Sequence, residues 1–317
     1  MSTPESLSKK SSSSKWAAIV IVVVLVFSMV FLALMQNPNA LTEIGFLGFS
    51  QTYTYDELVD YALVLINNDR TEFGLENVTV SEVNSAQLHA DNMLQKGFFS
   101  HWDVDGLKPY MRYTLAGGVG SVSENCAALY SSGWFDAKEA LKELEWQMMY
   151  NDSESDWGHK NNILTGFHNR VSIGIAYDDN SLYFVQDFEN SYIDWDILTT
   201  SENEVHMKGT VSNQDLSIEH VAIFYDNPRN LTTEQLDNPP YSGSYDQGTY
   251  VGLALPKGWV ATEGITVTSM VWSQTGNDFE IKFDFSEVTT AHGEGVYTLY
   301  IRTDQENNEL TSYSIWR

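Results

Sequence analysis

The 317 residues are about twice the usual size of one domain, and with 43% hydrophobic and 13% aromatic residues the chain has enough apolar material for two folded units. Seventeen basic residues against 43 acidic ones give a formal charge of −26. This excludes a nucleic-acid partner, because phosphate binding needs a basic footprint. The single cysteine, Cys126, excludes an intrachain disulfide, so stability has to come from packing.

Residues 1–15 form a polar tail containing Lys9, Lys10 and Lys15, and Trp16 to Met35 is an apolar run interrupted only by Ser28. At about 1.5 Å per residue its 20 residues span about 30 Å, the thickness of a bilayer core. The run predicts a single transmembrane helix at 16–35. A cleaved signal peptide is the alternative, but the run exceeds the usual apolar region of such peptides and its Phe31 to Met35 end is bulky. The basic residues before it place the N-terminus in the cytoplasm by the positive-inside rule, with the bulk of the chain extracytoplasmic. Three basic residues and one acidic residue precede the run, leaving 14 and 42 outside, a formal charge of −28. Asn77-Val-Thr, Asn151-Asp-Ser and Asn230-Leu-Thr are glycosylation sequons, physically usable only outside the cytoplasm.

Residues 36–51, with Pro38 and Gly45, read as a stalk. From Tyr55 the spacing of Leu58, Ala62, Leu65 and Ile66 predicts an amphipathic helix, and Ser81 to Gly97 repeats the pattern with Gly97 as its stop. Phe98 to Gly133 reads as loop-rich, and a third helix is expected over 136–150. Two strands, from Val171 and from Ser181, follow around a turn at Asp179-Asn180. After a linker at 191–203, alternating runs at 205–211, 218–225, 249–255, 265–272, 279–285, 296–301 and 311–316 predict about seven strands. Their pattern is that of an immunoglobulin-like antiparallel β-sandwich over 204–317, with a small barrel as the alternative.

Common catalytic signatures are missing: there is no G-x-S-x-G, H-E-x-x-H, phosphate-cradling glycine loop or C-x-x-C. What stands out is the ordered set Leu65-Ile66-Asn67-x-x-Arg70, Gly97-Phe-Phe-Ser-His101, Ser123-Glu124-Asn125-Cys126-Ala127 and Gly158-His159-Lys-Asn-Asn162-Ile163-Leu164, closed by Phe184-Val185-Gln186-Asp187-Phe188. In order and spacing these resemble the CAP superfamily of SCP-like, pathogenesis-related-1-like domains, over residues 52–190. The resemblance implies an α+β fold, an α-β-α sandwich with a central antiparallel sheet. It also implies a cleft lined by His101, Glu124 and His159.

In several members of that family the two histidines bind a divalent cation, usually zinc, which makes His101 and His159 the expected metal ligands. Imidazole suits zinc, and a carboxylate can hold the second ring nitrogen. The family's fourth acid falls on Met149 if Trp146 is its tryptophan; Glu145 is the nearest substitute, turned about 100° around the helix. His89 reads as a core histidine and Cys126 as a small buried hydrophobe, while His168, His206, His220 and His292 have no site-like spacing. The leading expectation is a binding or interaction module with a lipid, glycan or envelope-protein ligand. The alternatives are a metal-dependent, peptidase-like hydrolase, with Glu124 as general base beside a water held by His101 and His159, and a structural cell-surface component.

Overall fold

The computed structural model describes residues 52–212, 216–305 and 308–317. The tail, the apolar run at 16–35 and the stalk lie outside the described residues. Among the described residues no helix is long and apolar enough to cross a membrane.

The first half is mixed α and β. Helix α1 (Tyr55–Glu72) starts at a capping box in which Thr54 Oγ1 accepts the Glu57 backbone N–H and the Glu57 carboxylate accepts that of Thr54. Strand β1 (Thr79–Val80) is followed by α2 (Ser85–Lys96), which ends on Gly97 in the left-handed region, φ 71°. Next come α3 (Pro109–Leu115), β2 (Ser121–Tyr130), α4 (Ala137–Tyr150), α5 (Gly158–Ile163), β3 (Arg170–Tyr177) and β4 (Ser181–Asn190). The stretch expected to be loop-rich therefore holds a helix with Pro109 in its first turn and a ten-residue strand.

The sheet runs β1-β3-β4-β2, with β2 at an edge, all antiparallel except the short β1–β3 pair. Strand alternation sorts its two faces. Val171, Ile173, Ile175, Leu182, Phe184 and Phe188 pack against α1 and α4, while Ala176, Val185 and Cys126 pack against α2. The α2 face is held very close: a side-chain carbon at Gly174 would lie 2.1 Å from the Ala86 carbonyl oxygen.

The second half is built on β-sheets, with a seven-residue helix at Ser286–His292 besides. Its two sheets run β10-β11-β6-β5 and β13-β12-β7-β8-β9, from β5 (Ile193–Ser201), β6 (Glu204–Val211), β7 (Ile218–Asp226), β8 (Thr249–Leu255), β9 (Ile265–Thr268), β10 (Val271–Thr275), β11 (Asp278–Asp284), β12 (Val296–Thr303) and β13 (Glu309–Trp316). Val205 and Met207 of one sheet share a core with Val221, Ile223, Leu299 and Ile301 of the other. Two expectations are corrected. Ile193–Ser201, read as part of a linker, is a strand paired with β6, its half-buried alternation having too few strong apolar residues to announce it. The run 265–272 is two strands, β9 and β10, placed in different sheets. The β8–β9 pair is parallel, so the second half is not purely antiparallel.

The two halves form one compact unit. The excursion between β7 and β8, residues 227–248 with the one-turn helix α6 (Thr233–Leu236), lies on the first half: Leu231, Leu236 and Tyr241 join the apolar cluster under α2. We expect Gly174→Ala to destabilise the protein by about 2 kcal/mol or more in urea melts, since a carbonyl in close backbone packing must move to admit the methyl. A change below about 0.5 kcal/mol would contradict this helix–sheet distance.

Candidate functional site

The site begins at the edge strand β2. Because successive side chains alternate, Glu124 and Cys126 project to the α2 side and Asn125 to the α1–α4 side. Glu124 is 5% exposed, yet a buried carboxylate needs a partner to stay charged. That partner is Arg112 of α3, whose Nη2 donates to Glu124 Oε2 at 2.6 Å. Its Nη1 donates to the carbonyls of His101 and Leu107, each at 2.7 Å, so one guanidinium clamps the loop 101–107 onto α3 and β2. Burial alone would raise the Glu124 carboxyl, but Arg112, with His89 and His101 added, outweighs it and holds that carboxyl well below the usual range.

The other oxygen, Oε1, lies 2.9 Å from His101 Nδ1 and 3.2 Å from the Cys126 thiol, which donates to it. Burial, then the Glu124 charge, keeps that thiol protonated. His101 is therefore fixed through Nδ1, leaving Nε2 without a partner among the described residues.

His159, on α5, is held in the same way. Its Nδ1 lies 2.6 Å from Asp152 Oδ1, while Asp152 Oδ2 accepts the Lys160 backbone N–H at 3.1 Å. Burial would raise Asp152, but hydrogen bonds from Ser155, His159 and Lys160 outweigh it and lower its carboxyl. Behind His159, the Asn125 amide donates to the His159 carbonyl and to Gln186 Oε1, each at 3.1 Å. Asn162 donates to Asn125 Oδ1 at 3.0 Å and to the Ser123 carbonyl at 3.2 Å. His168 closes this network, its ring nitrogens 3.0 Å from Asn162 Oδ1 and 2.7 Å from Asn190 Oδ1.

His101, Glu124 and His159 all line one cavity of about 480 Å³, and His101 and His159 also line an adjoining one of about 280 Å³. Ser244, Tyr245, Gln247, Tyr300 and Glu309 of the second half complete the larger cavity's wall. The structure thus brings three of the four expected residues together. Glu145 is elsewhere: it is 2% exposed on the α4 face of the sheet, accepts from Gln186 Nε2 at 2.5 Å and lines neither cavity. Burial, then the nearby Asp69 charge, pushes its carboxyl up to about 8. It reaches the site only through Gln186 and Asn125. Met149, at the family's acid position, is core.

His168, which has no site-like spacing in the sequence, is 7% exposed and lines the larger cavity. Burial pushes it down to about 4. Arg112, Asp152, His168, Tyr245 and Tyr300 are site residues with no signal in local spacing, since each is brought in by tertiary approach. His89 is core, packed by Phe98, with Nε2 2.8 Å from the Ser100 carbonyl. The sequon residues Asn77, Asn151 and Asn230 are exposed.

Two groups have the residue types of a metal site. His89, Glu124 and Cys126 each place a potential ligand atom within 4.8 Å of the others. Their chemistry does not suit a cation: His89 Nε2 is committed to Ser100, the thiol stays protonated, and Arg112 already balances Glu124. His101 and His159 do suit one, because each has its Nδ1 on a carboxylate and its Nε2 left over, the arrangement that orients imidazole toward a metal.

Residues 63–188 match the family described as CAP, the cysteine-rich secretory protein family, so the chain contains a CAP domain. No curated protein matches. Similar solved structures include an extracellular protein containing a SCP domain from Bacillus anthracis str. Ames, at 20% identity and TM-score 0.34, covering 45% of each chain. The CAP domain of Enterococcal PrgA is 16% identical at TM-score 0.32, covering 44% of this chain and 64% of that one. An outer surface protein from Borrelia burgdorferi is 12% identical at TM-score 0.34, covering 44% of this chain and 98% of that one. The chain spans less than two thirds of the first two.

Arg112→Met should lower stability by about 3–5 kcal/mol by stranding the Glu124 charge, and adding Glu124→Gln should recover part of that loss in denaturant melts. Equal loss in the single and double variants would show that the ion pair is not the cause. Glu145 makes the opposite pH demand. A carboxyl raised to about 8 on folding keeps its full stability contribution below the unfolded value of 4.5 and loses it as pH rises toward about 8. Glu145→Gln should therefore be nearly neutral at pH 4 and stabilising by about 4 kcal/mol at pH 8, read from urea melts across that range.

Proposed function

We propose that the protein is an extracytoplasmic, membrane-anchored binding module whose ligand enters the cleft of His101, Glu124 and His159. The observation that supports this is the pair of imidazoles, each held at Nδ1 by a carboxylate, on the wall of one polar cavity. The apolar run at 16–35 and the exposed sequons support the placement outside the cytoplasm. A divalent cation, zinc by preference, would be held by Nε2 of His101 and His159 and would supply a Lewis-acidic contact for a ligand oxygen. Two protein ligands leave most of its positions to water or ligand.

The cavity wall favours a polar ligand over a lipid: serines, asparagines, histidines and acids predominate among its residues. A glycan or a polar segment of an envelope protein fits that wall. The hydrolase reading is weaker because Glu124 would have to serve as base, while both its oxygens are occupied and Arg112 keeps it from taking a proton. Glu124 is better placed as a positioning residue for His101.

Calorimetric titration with zinc should give one site in the wild type, weakened at least tenfold in His101→Ala and in His159→Ala. Sedimentation with isolated cell envelope should fall in the same two variants and stay unchanged in Trp259→Ala. Equal envelope retention in all four proteins would overturn the cleft reading, and absence of stoichiometric zinc in the wild type would remove the cation from it.

A further inference from the structure

The larger cavity has a second wall, and that wall belongs to the second half. The excursion 227–248 is pinned to the CAP domain at several points: the Phe99 backbone N–H donates to Asp237 Oδ1 at 2.9 Å, and Ser100 Oγ donates to the Tyr241 carbonyl at 2.6 Å. Lys108 Nζ bonds Asp246 Oδ1 at 2.5 Å and Asp226 Oδ1 at 2.8 Å, and Tyr110 donates to Asp226 Oδ2 at 2.7 Å. Tyr245, next to that anchor, enters the cleft: its ring centroid lies 5.0 Å from that of His101, and its hydroxyl accepts the Glu124 backbone N–H at 2.9 Å. The Tyr245 hydroxyl also meets the Ser123 side chain on the cavity wall.

Tyr300, on β12, lines the same cavity. Its ring is wedged edge-on between Tyr110, at 6.1 Å, and Phe224, at 5.3 Å. The residue is 2% exposed, yet its hydroxyl has no hydrogen-bond partner among the described residues. The hydroxyl oxygen opens to the cavity and not into the core, so water can pair with it there. Here its proton is available to whatever fills the cavity. Burial, then the Glu309 charge, keeps the Tyr300 hydroxyl protonated.

The chemistry of the wall narrows the occupant. No lysine or arginine is among the residues lining this cavity, whereas Glu124, Asp246 and Glu309 are. Each of these carboxylates is already paired, Glu124 with Arg112, Asp246 with Lys108 and Glu309 with Arg302, so the wall has no cation left over for a phosphate, sulfate or carboxylate ligand. Phenol donors beside neutral amides, Asn190 and Gln247 among them, instead match the dense hydroxyl and ring oxygens of a neutral sugar chain. We propose that Tyr245 and Tyr300 form a second half-site for a neutral oligosaccharide, turning their phenolic hydroxyls to sugar oxygens while the His101–His159 side holds the rest of the chain. This rests on the cleft-binding reading above and assigns its ligand class and its second-domain contacts.

The test uses calorimetry or NMR titration of the full chain with cellotetraose and tetra-N-acetylchitotetraose, and with a sulfated tetrasaccharide and a neutral tetrapeptide as contrasts. A neutral sugar should bind the wild type at millimolar concentration or below, about five- to tenfold more weakly after Tyr300→Phe and after Tyr245→Phe, as expected for one lost hydrogen bond. Neither contrast should compete. Tyr300→Phe loses no contact within the protein, so its melting temperature should match the wild type and its affinity reports the ligand contact alone. The half-site is overturned if neither neutral sugar binds, if Tyr300→Phe binds as the wild type does, or if the sulfated sugar or the peptide binds more tightly. If the half-site fails in any of these ways while His101→Ala still releases the protein from cell envelope, the cleft remains the binding site and only its sugar half-site falls.

Discussion

The buried pair of Glu124 and Arg112 is the constraint on which the cleft depends. A carboxylate with no exposed side chain would normally pick up a proton, and the guanidinium prevents this. The same guanidinium also takes two backbone carbonyls, so the charge that satisfies Glu124 fixes the path of the loop bearing His101. Glu124 in turn receives His101, the Cys126 thiol and, through its own backbone N–H, Tyr245 of the second half. An edge strand, a short helix, a loop and another domain thus meet at one residue. Burying a charge pair is a poor route to stability, since desolvation consumes most of the attraction. Its role here is to make one arrangement of these four elements satisfiable.

The two sides of the cleft follow one rule by different routes. Both imidazoles are fixed through Nδ1 by a carboxylate, but Glu124 is sealed inside the protein while Asp152 is held by the backbone of its own turn. Strand alternation lets β2 support both: Glu124 serves the His101 side, and Asn125, one residue on, holds the His159 carbonyl from the opposite face. The amides of Asn125, Asn162 and Gln186 carry that support inward to Glu145, a neutral acid at ordinary pH because nothing positive accompanies it into the core.

This arrangement explains what could be read in the sequence. Helices α1, α2 and α4 declare themselves by apolar spacing because each buries one face, and β3 and β4 because they are apolar on both. Strand β2 does not, since Glu124 and Asn125 occupy positions where a core strand would have aliphatic residues; the deviation marks the site. His101, Glu124 and His159 were legible through motif order. Arg112 and Asp152 were not, because their roles come from tertiary contacts with groups 12 and 7 residues away that no period links. Glu145 failed as a candidate for the reason its helical offset suggested: the turn of the helix puts it beneath the sheet.

The second half could have been a spacer, and its contacts with the CAP domain argue otherwise. A spacer needs few contacts and tolerates movement, whereas here Lys108 is 8% exposed at its side chain and bound to two aspartates of the second half. The β2 edge is occupied as well: Ser312 Oγ accepts from the Val122 backbone N–H at 3.2 Å and Tyr245 from that of Glu124 at 2.9 Å, so part of the strand's free edge is closed by side chains of the other half. A wall fixed in this way keeps its shape when the cavity fills, and a pre-formed wall contributes specificity without an ordering cost at the moment of binding. The division of labour then follows from the fold. The CAP domain supplies the imidazole pair, while residues 227–248 and β12 supply the opposite wall, tied to the His101 side through Tyr245.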